Sequence, residues 1–267
     1  MSIRNLEPKG LWKNFYELTQ IPRPSKKEEK VVAFLKEFGE KLGLETIVDK
    51  VGNVIIRKPA TPGYEDRMGV VLQAHVDMVP QKNSDKVHDF EKDPIETRIV
   101  DGWVKANGTT LGADNGVGAA AAMAVLEDNT LVHGPIEALF TIDEETGMTG
   151  ANALEPGILK GDILINTDSE TEGELYVGCA GGIDTCGYFT PKFEEVPAGS
   201  KAFQLIVKGL KGGHSGMDII LGRANANKVM GEFLRRIQEK MPLCLVSFAG
   251  GSKDNAIPRS CEVNAIS

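Results

Sequence analysis

The sequence predicts an α/β fold, with a mixed, mostly parallel sheet that has helices on both faces, followed by part of a smaller α+β domain. Two observations lead to this prediction. Apolar runs of strand length alternate with segments of helical periodicity through the first two thirds of the chain. Several of these runs are continuously apolar, which is typical of strands that are buried on both faces.

The chain begins with two predicted helices. Apolar residues recur at helical spacing over residues 11–18, and this helix must end before Pro22 because proline cannot continue a helix. The second helix is predicted over residues 25–43. Ser25 and Glu28 have the spacing of a capping box, and Gly43 is a typical helix terminator.

The rest of the first domain is predicted to be strands and one helix of small residues. The strands fall at residues 46–49, 53–57, 69–77, 136–142 and 162–168, and the helix falls at residues 117–128. Prolines and a glycine near residues 191–199 then indicate a crossing between domains, and we place the boundary between residues 187 and 188. The second domain is predicted as a strand at 202–209, a helix at about 217–240 and further strands at 243–250 and towards 267.

Composition excludes several classes of partner. The net charge is −8, and 41% hydrophobic with 25% charged residues is ordinary for a globular protein, which argues against a nucleic-acid or anionic-membrane partner. The N-terminal residues lack the apolar core of a signal peptide, so we expect a cytoplasmic protein.

Potential metal ligands follow four predicted strands or loops. His75 and Asp77 are two residues apart, so their side chains should point the same way and the carboxylate can orient the imidazole. Asp114 lies in a glycine-rich loop before a helix, Asp168 ends a strand, and residues 143–145 are three consecutive acids after another strand. Strand ends in open α/β sheets face the ligand crevice, and imidazole with carboxylates suits zinc, manganese or cobalt.

The adjacency of Glu144 and Glu145 indicates two different roles. Consecutive residues on a strand point to opposite faces, so the two side chains should have different roles. One carboxylate could then bind metal while the other takes a proton from water. His88 and His133 have no comparable set of potential ligands beside them in the sequence, so we assign them no role. The glycine-rich loop lacks the lysine of a phosphate-binding P-loop.

Long motifs in this order resemble the Xaa-His dipeptidases, a branch of the dinuclear-zinc aminoacylase and carboxypeptidase family. They include "GTTLGADNGVG", "DEETGMTGA", "ILINTDSETEGELYVGCAGGID", "LKGGHSGMDI" and "NAIPR". The resemblance implies a zinc-exopeptidase-like catalytic domain over residues 1–187 and part of a lid and dimerisation domain over residues 188–267. It also implies hydrolysis of unblocked dipeptides, including Xaa-His, and a protein that can form a homodimer.

The resemblance further implies two zinc ions, for which manganese or cobalt could substitute. It implies that His75 and Asp168 bind one zinc, that Asp114 bridges the two, and that Glu145 binds the other. Members of the family supply a later histidine to the second zinc. The last histidine of this sequence is His214, and the final stretch ends without a turn or cap. We therefore expect the N-terminal portion of such an enzyme, which could be inactive by itself.

The remaining roles also come from the resemblance. It implies that Glu144 is the general base and that Asp77 orients the metal-binding histidine. It implies that His214 helps to stabilise the oxyanion or to hold substrate, with Asn255 and Arg259 nearby. From the residues alone, His214 could equally cap the helix that follows it. Two other functions stay open: another hydrolase of the family, such as an aminoacylase, deacetylase or tripeptidase, and a fragment that only binds metal or a partner.

Overall fold

The computed structural model describes residues 2–83, 85–169, 171–179, 181, 183, 185–251, 253 and 255–267. The chain divides into two compact units, residues 1–180 and 181–267. No helix of the described residues is long and apolar enough to cross a membrane.

Among its described residues, the first unit contains four α-helices, a short 3₁₀ helix (Ile3–Asn5) and seven strands. The helices are α1 (Lys9–Thr19), α2 (Glu29–Lys41), α3 (Ala113–Glu127) and the single turn α4 (Thr149–Asn152). The strands are β1 (Glu45–Val48), β2 (Val54–Lys58), β3 (Val70–His75), β4 (Thr97–Val100), β5 (Trp103–Ala106), β6 (Ile136–Thr141) and β7 (Ile163–Asn166).

Five of these strands form one mixed sheet in the order β1-β2-β6-β3-β7. Strand β3 is parallel to both of its neighbours, β6 and β7. Strand β2 is antiparallel to β6 and to β1, so it alone runs against the other four. The prediction of a mixed, mostly parallel sheet with helices is confirmed.

The two faces of the sheet are covered unequally. Apolar residues of α1, α2 and α3 pack on one face in the main core, around Val54, Ile56 and Phe140. The opposite face carries a smaller cluster of Ile55, Val71, Leu139 and the segment that follows α4. Alternate residues of β2 therefore belong to different cores, as the period of a strand requires.

The order of the strands determines where the polar side chains gather. Because β6, β3 and β7 are parallel, their carboxyl ends lie at the same edge of the sheet. His75 is the last residue of β3, the acids 143–145 follow β6, and Asp168 follows β7.

Two features of the first unit differ from the sequence prediction. Strands β4 and β5 form a hairpin that was not predicted, with Asp101 and Gly102 both at positive φ in the two-residue turn. The prediction of a capping box at the start of α2 is wrong. The helix begins at Glu29, and the side chain of its N-cap residue, Glu28, makes no capping hydrogen bond. The Glu28 carboxylate instead accepts hydrogen bonds from the backbone N–H groups of Lys26 and Asp143.

In the part of the second unit that the structure describes, there are one long helix and two small sheets. Its elements are β8 (Ala202–Val207), β9 (Gly213–His214), α5 (Ala226–Gln238), β10 (Cys244–Gly250), β11 (Ala256–Ile257) and β12 (Cys261–Ile266). One sheet has the order β10-β12-β8, and β9 pairs with β11 in the other. Met230 and Leu234 of α5 pack against Val263 and its neighbours.

The predicted helix at 217–240 is wrong in its first part. Residues Ile219–Leu221 form a short 3₁₀ turn that ends at Gly222, whose φ is +62°. The α-helix begins afresh after Asn225, whose side chain accepts from the N–H groups of Asn227 and Lys228 as an N-cap. Gly222 and the N-cap Asn225 therefore divide the segment, which the periodicity predicted as one helix, into a 3₁₀ turn and an α-helix.

Strand β7 is the last strand of the five-stranded sheet among the described residues, and its side chains are exposed. Ile163, Leu164 and Ile165 are 41%, 54% and 45% exposed. An apolar edge strand is a template for pairing with another chain.

We expect Leu164→Lys to raise the concentration at which the 267-residue chain stays monodisperse in light scattering. Val87→Lys, at a loop position that is 95% exposed, is the control; equal behaviour of both variants and the wild type would contradict the prediction.

Candidate metal centre

His75 lies at the centre of the polar cluster, with both ring nitrogens facing carboxylates. It is 1% exposed, and its Nδ1 lies 3.2 Å from Asp77 Oδ1. Its Nε2 lies 3.0 Å from Asp114 Oδ1, 3.6 Å from Asp168 Oδ1 and 3.9 Å from Glu144 Oε2. When Nδ1 donates to Asp77, the Nε2 lone pair faces the other three carboxylates and is available to a cation.

Asp77 connects this histidine to the acidic turn after β6. Its side chain is fully buried, and Oδ1 also accepts from the backbone N–H of Glu144 at 3.0 Å. Oδ2 accepts from the N–H of Glu145 at 3.2 Å. One carboxylate therefore orients both the imidazole and the backbone that carries the two glutamates.

The expectation that Glu144 and Glu145 point to opposite sides is wrong. Strand β6 ends at Thr141, and residues 144–147 form a turn in which strand alternation does not apply. Asp143 has a φ of +48° and accepts hydrogen bonds from the hydroxyl groups of Thr146 and Thr149, which hold the turn. As a result, one oxygen of each glutamate lies within 4.8 Å of a nitrogen of His75 and of the other glutamate's oxygen.

Asp114 and Asp168 complete a second group of ligand atoms around the same histidine. One atom each from His75, Asp114 and Asp168 lies within 4.8 Å of the other two. Asp114 precedes the regular part of α3, since its own ψ of 115° is not helical. Asp168 Oδ1 accepts from Asn115 Nδ2 at 2.6 Å.

The electrostatics of the cluster favour a bound cation. Burial lowers the pKa of His75, but hydrogen bonds to Asp114, Asp168 and Asp77 outweigh it and raise the pKa to about 12. Burial and then the charge of Asp114 raise the pKa of Glu145 to about 7. Part of the rise at Glu145 is repulsion by neighbouring carboxylates, and a divalent ion among them would relieve that repulsion.

The three residues expected to contact substrate lie together in the second unit. His214 on β9 pairs with Ala256 on β11, beside Asn255, and all three of the expected residues, including Arg259, are exposed. His214 Nδ1 accepts from the N–H of Gly216 at 3.0 Å. This hydrogen bond stabilises a turn and caps no helix, because α5 begins only after Asn225, so the helix-capping role that the residues alone allowed is not present. With Nδ1 as an acceptor, Nε2 is the ring nitrogen that carries hydrogen in the neutral imidazole.

Sequence reasoning missed two buried residues of the first unit. Asn115 holds Asp168 through its amide, as described above, and its position directly after Asp114 was a usable signal. Arg23 lies beneath the cluster, where its guanidinium donates to the carbonyl oxygens of Val76 and Gly112. Arg23 lies between two prolines, just before the acidic start of a helix, and this local sequence does not indicate that the side chain is buried.

Comparisons with known proteins decide the family. The profile described as Peptidase family M20/M25/M40 matches residues 71–254, which is more than half of the chain. The chain belongs to this peptidase family. It is 54% identical over 257 residues to the cytosol non-specific dipeptidase of Escherichia coli strain K12, a match that covers 96% of this chain and 53% of that protein. The similarity to dipeptidases that the motifs indicated is confirmed.

Solved structures agree with this assignment. The aminoacylhistidine dipeptidase from Vibrio alginolyticus matches with a TM-score of 0.68 and 51% identity, covering all of this chain and 54% of that one. The aminopeptidase PepT from Bacillus cereus matches with a TM-score of 0.55 and 23% identity, covering 98% of this chain and 66% of that one, and shows a similar fold alone. The chain spans about half the length of the dipeptidases it matches.

Proposed function

We propose that this chain supplies metal-binding and catalytic residues of an enzyme that hydrolyses the peptide bond of unblocked dipeptides, including Xaa-His. The observation that carries the proposal is His75, held by Asp77 on one side and aimed at Asp114 and Asp168 on the other. The names of the E. coli and Vibrio relatives, both dipeptidases, support the substrate class.

The donor set fits zinc, with manganese or cobalt as substitutes. His75, Asp114 and Asp168 would hold one ion, and Glu145 with a shared Asp114 would contribute to a second. Such an ion polarises a carbonyl group and lowers the pKa of water. The fit rests on a buried, oriented imidazole with carboxylates around its free nitrogen, an arrangement that surface acids do not produce.

In this proposal Glu144 is the general base. Its carboxylate lies at the edge of the cluster, 3.9 Å from His75 Nε2, and the Asp77 carboxylate fixes its backbone. Burial raises the pKa of Glu144, although the positive charge of His75 opposes that rise. A carboxylate with a raised pKa can take a proton from the attacking water and then pass it to the leaving amine.

We propose that His214, Asn255 and Arg259 contact the substrate. Nδ1 of His214 accepts from the N–H groups of Gly216 and Met217, so Nε2–H is available as a donor, which suits a carbonyl oxygen that becomes negative during the reaction. Arg259 Nε donates to Leu210 O, and its remaining guanidinium nitrogens could bind the carboxylate of a free dipeptide. The name of the E. coli relative also supports a cytosolic protein, and homodimer formation is part of the same proposal.

Metal content and peptide hydrolysis test the function directly. The purified chain and the E. coli dipeptidase would be assayed with a panel of dipeptides, tripeptides and N-acylated amino acids, with and without a chelator. We expect chelator-sensitive hydrolysis that favours unblocked dipeptides. A preference for tripeptides or acylated substrates would indicate another hydrolase of the family, and metal binding with no hydrolysis at any concentration would indicate a binding function.

Asp77→Ala is expected to weaken metal binding or activity by about 10–100-fold, because His75 loses the acceptor that orients its ring. The loss should appear in the Kd for zinc, measured by titration, as well as in kcat/KM. Asp66→Ala removes the same charge from an acid whose side chain is 82% exposed and serves as the control. If Asp77→Ala matched the wild type in both quantities, Asp77 would have no role in orienting the histidine.

A further inference from the structure

Arg23 is a large charged side chain that the fold buries completely. It is 2% exposed and is among the largest fully buried side chains of the described residues. Pro22 and Pro24 flank it in the sequence, and proline restricts both its own φ and the conformation of the residue before it. The backbone that presents Arg23 is therefore held extended before any tertiary contact forms.

The Arg23 guanidinium joins two segments that carry the proposed metal ligands. Nη1 donates to Val76 O at 2.8 Å and to Asp77 O at 3.1 Å, directly after β3 and His75. Nη2 donates to Gly112 O at 2.5 Å, two residues before Asp114. The planar fork of the guanidinium fixes the distance between these carbonyl groups. The backbone of Arg23 also accepts from Met78 N at 3.1 Å, which secures the arginine to the same strand end.

Two glycines leave room for this guanidinium. A Cβ at Gly112 would lie 2.6 Å from Arg23 Nη2, and a Cβ at Gly116 would lie 2.5 Å from the same atom. Gly112 also has a φ of +69°, which favours glycine. The small residues of the "GADNG" loop are thus matched to the arginine beneath it.

The charge of Arg23 suits its position below the carboxylates. Burial lowers the pKa of Arg23 to about 10, while Asp77 and Asp114 pull in the opposite direction. A group with that pKa stays protonated at neutral pH, so the site has one built-in positive charge. A buried arginine is costly to desolvate, and Nε of Arg23 has no hydrogen-bond partner among the described residues. The three carbonyl contacts of Nη1 and Nη2 and the nearby acids offset part of that cost.

We propose that Arg23 is a positioning residue, whose guanidinium sets the separation between the end of β3 and the loop before α3. It thereby sets the distance between His75 Nε2 and Asp114 Oδ1, which is 3.0 Å in this structure. This role rests on the proposed metal centre and deepens it. Arg23 touches neither the ligand atoms nor a substrate, so it acts only through the backbone that carries them.

Cobalt(II) provides the test, because its visible absorption reports the geometry of its ligands as well as its binding. The 267-residue chain would be titrated with Co²⁺ as wild type, Arg23→Lys and Arg23→Met, with folding checked by circular dichroism. Lysine keeps the charge but cannot reproduce the planar fork. We expect the Kd for Co²⁺ to rise by roughly 10–100-fold in Arg23→Met and less in Arg23→Lys, with an altered absorption spectrum in both.

Arg57 provides matched controls at the opposite end of the sheet. Its side chain is 19% exposed and pairs with Glu137 and Glu45, and Nη2 donates to Ile158 O. Arg57→Lys and Arg57→Met should leave the cobalt spectrum and Kd unchanged.

Wild-type Kd and spectrum in folded Arg23→Lys and Arg23→Met would overturn the proposal, as would an equal loss in the Arg57 variants. If Arg23→Met does not fold, Arg23→Lys decides alone. A wild-type chain that binds no Co²⁺ would instead reject the proposed metal centre, and the role of Arg23 with it.

Discussion

Glu144→Gln lowers dipeptide turnover by roughly 10²-fold or more and leaves the metal content unchanged, if Glu144 is the general base. Glutamine has nearly the same size and keeps the backbone N–H that Asp77 holds, but it cannot take a proton. The measurement is kcat with metal analysis of the same samples. The position that aligns with Glu144 in the E. coli relative would be changed in parallel, so that a slow chain does not hide the effect.

Glu145→Gln is the matched control, because it changes the adjacent residue by the same chemistry. Because Glu145 is a proposed metal ligand, Glu145→Gln should lower the affinity of the chain for metal. Its activity should recover when metal is in excess. Near-normal turnover of Glu144→Gln at full metal occupancy would remove Glu144 as the base. If Glu145→Gln instead showed the pattern expected of Glu144→Gln, the two roles would be exchanged.

The sequence predicted the sheet well where buried strands leave a continuous apolar signal. Strands β3 and β6 lie within the predicted segments, and the parallel pairing of β3 with its neighbours follows from the helical crossovers between them. The hairpin of β4 and β5 was missed because its residues are mostly half-exposed and carry little apolar pattern. The Asp101–Gly102 pair was the available signal.

The positions of the polar residues were predictable in part. The two-residue spacing of His75 and Asp77 at a strand end was enough to anticipate their contact. The orientation of Glu144 and Glu145 was not predictable by strand alternation, since β6 ends at Thr141 before the acids begin.

Local patterns misled where tertiary contacts compete with them. Ser25 and Glu28 have the spacing of a capping box, but the Glu28 side chain binds the N–H of Asp143 instead. The contacts of Arg23 also could not be predicted from local sequence. Its partners are carbonyl groups 53 or more residues away, and no local pattern indicates them.

The 267-residue chain is expected to bind one zinc ion tightly and to hydrolyse dipeptides far more slowly than a full-length relative. Three groups of candidate ligand atoms lie among the described residues of the first unit, and the two at the proposed metal centre both depend on His75. The third group, Glu28, Asp77 and Asp143, consists of carboxylates alone. Asp77 occupies Nδ1 of that ring, so Nε2 can serve only one ion. A second ion would be left with Glu145 and a share of Asp114, and oxygen ligands alone are a poor set for zinc.

The central claim is that this cluster is a metal centre, and the zinc content of the purified, monodisperse chain tests it most directly. After dialysis against a weak chelator, we predict one zinc ion per chain in the wild type and none in His75→Ala, with His133→Ala, whose ring Nδ1 faces Gly134 O, unchanged. Absence of zinc from the wild type, or its full retention by His75→Ala, would contradict the claim. Two tightly held ions would show that a further ligand completes the second site.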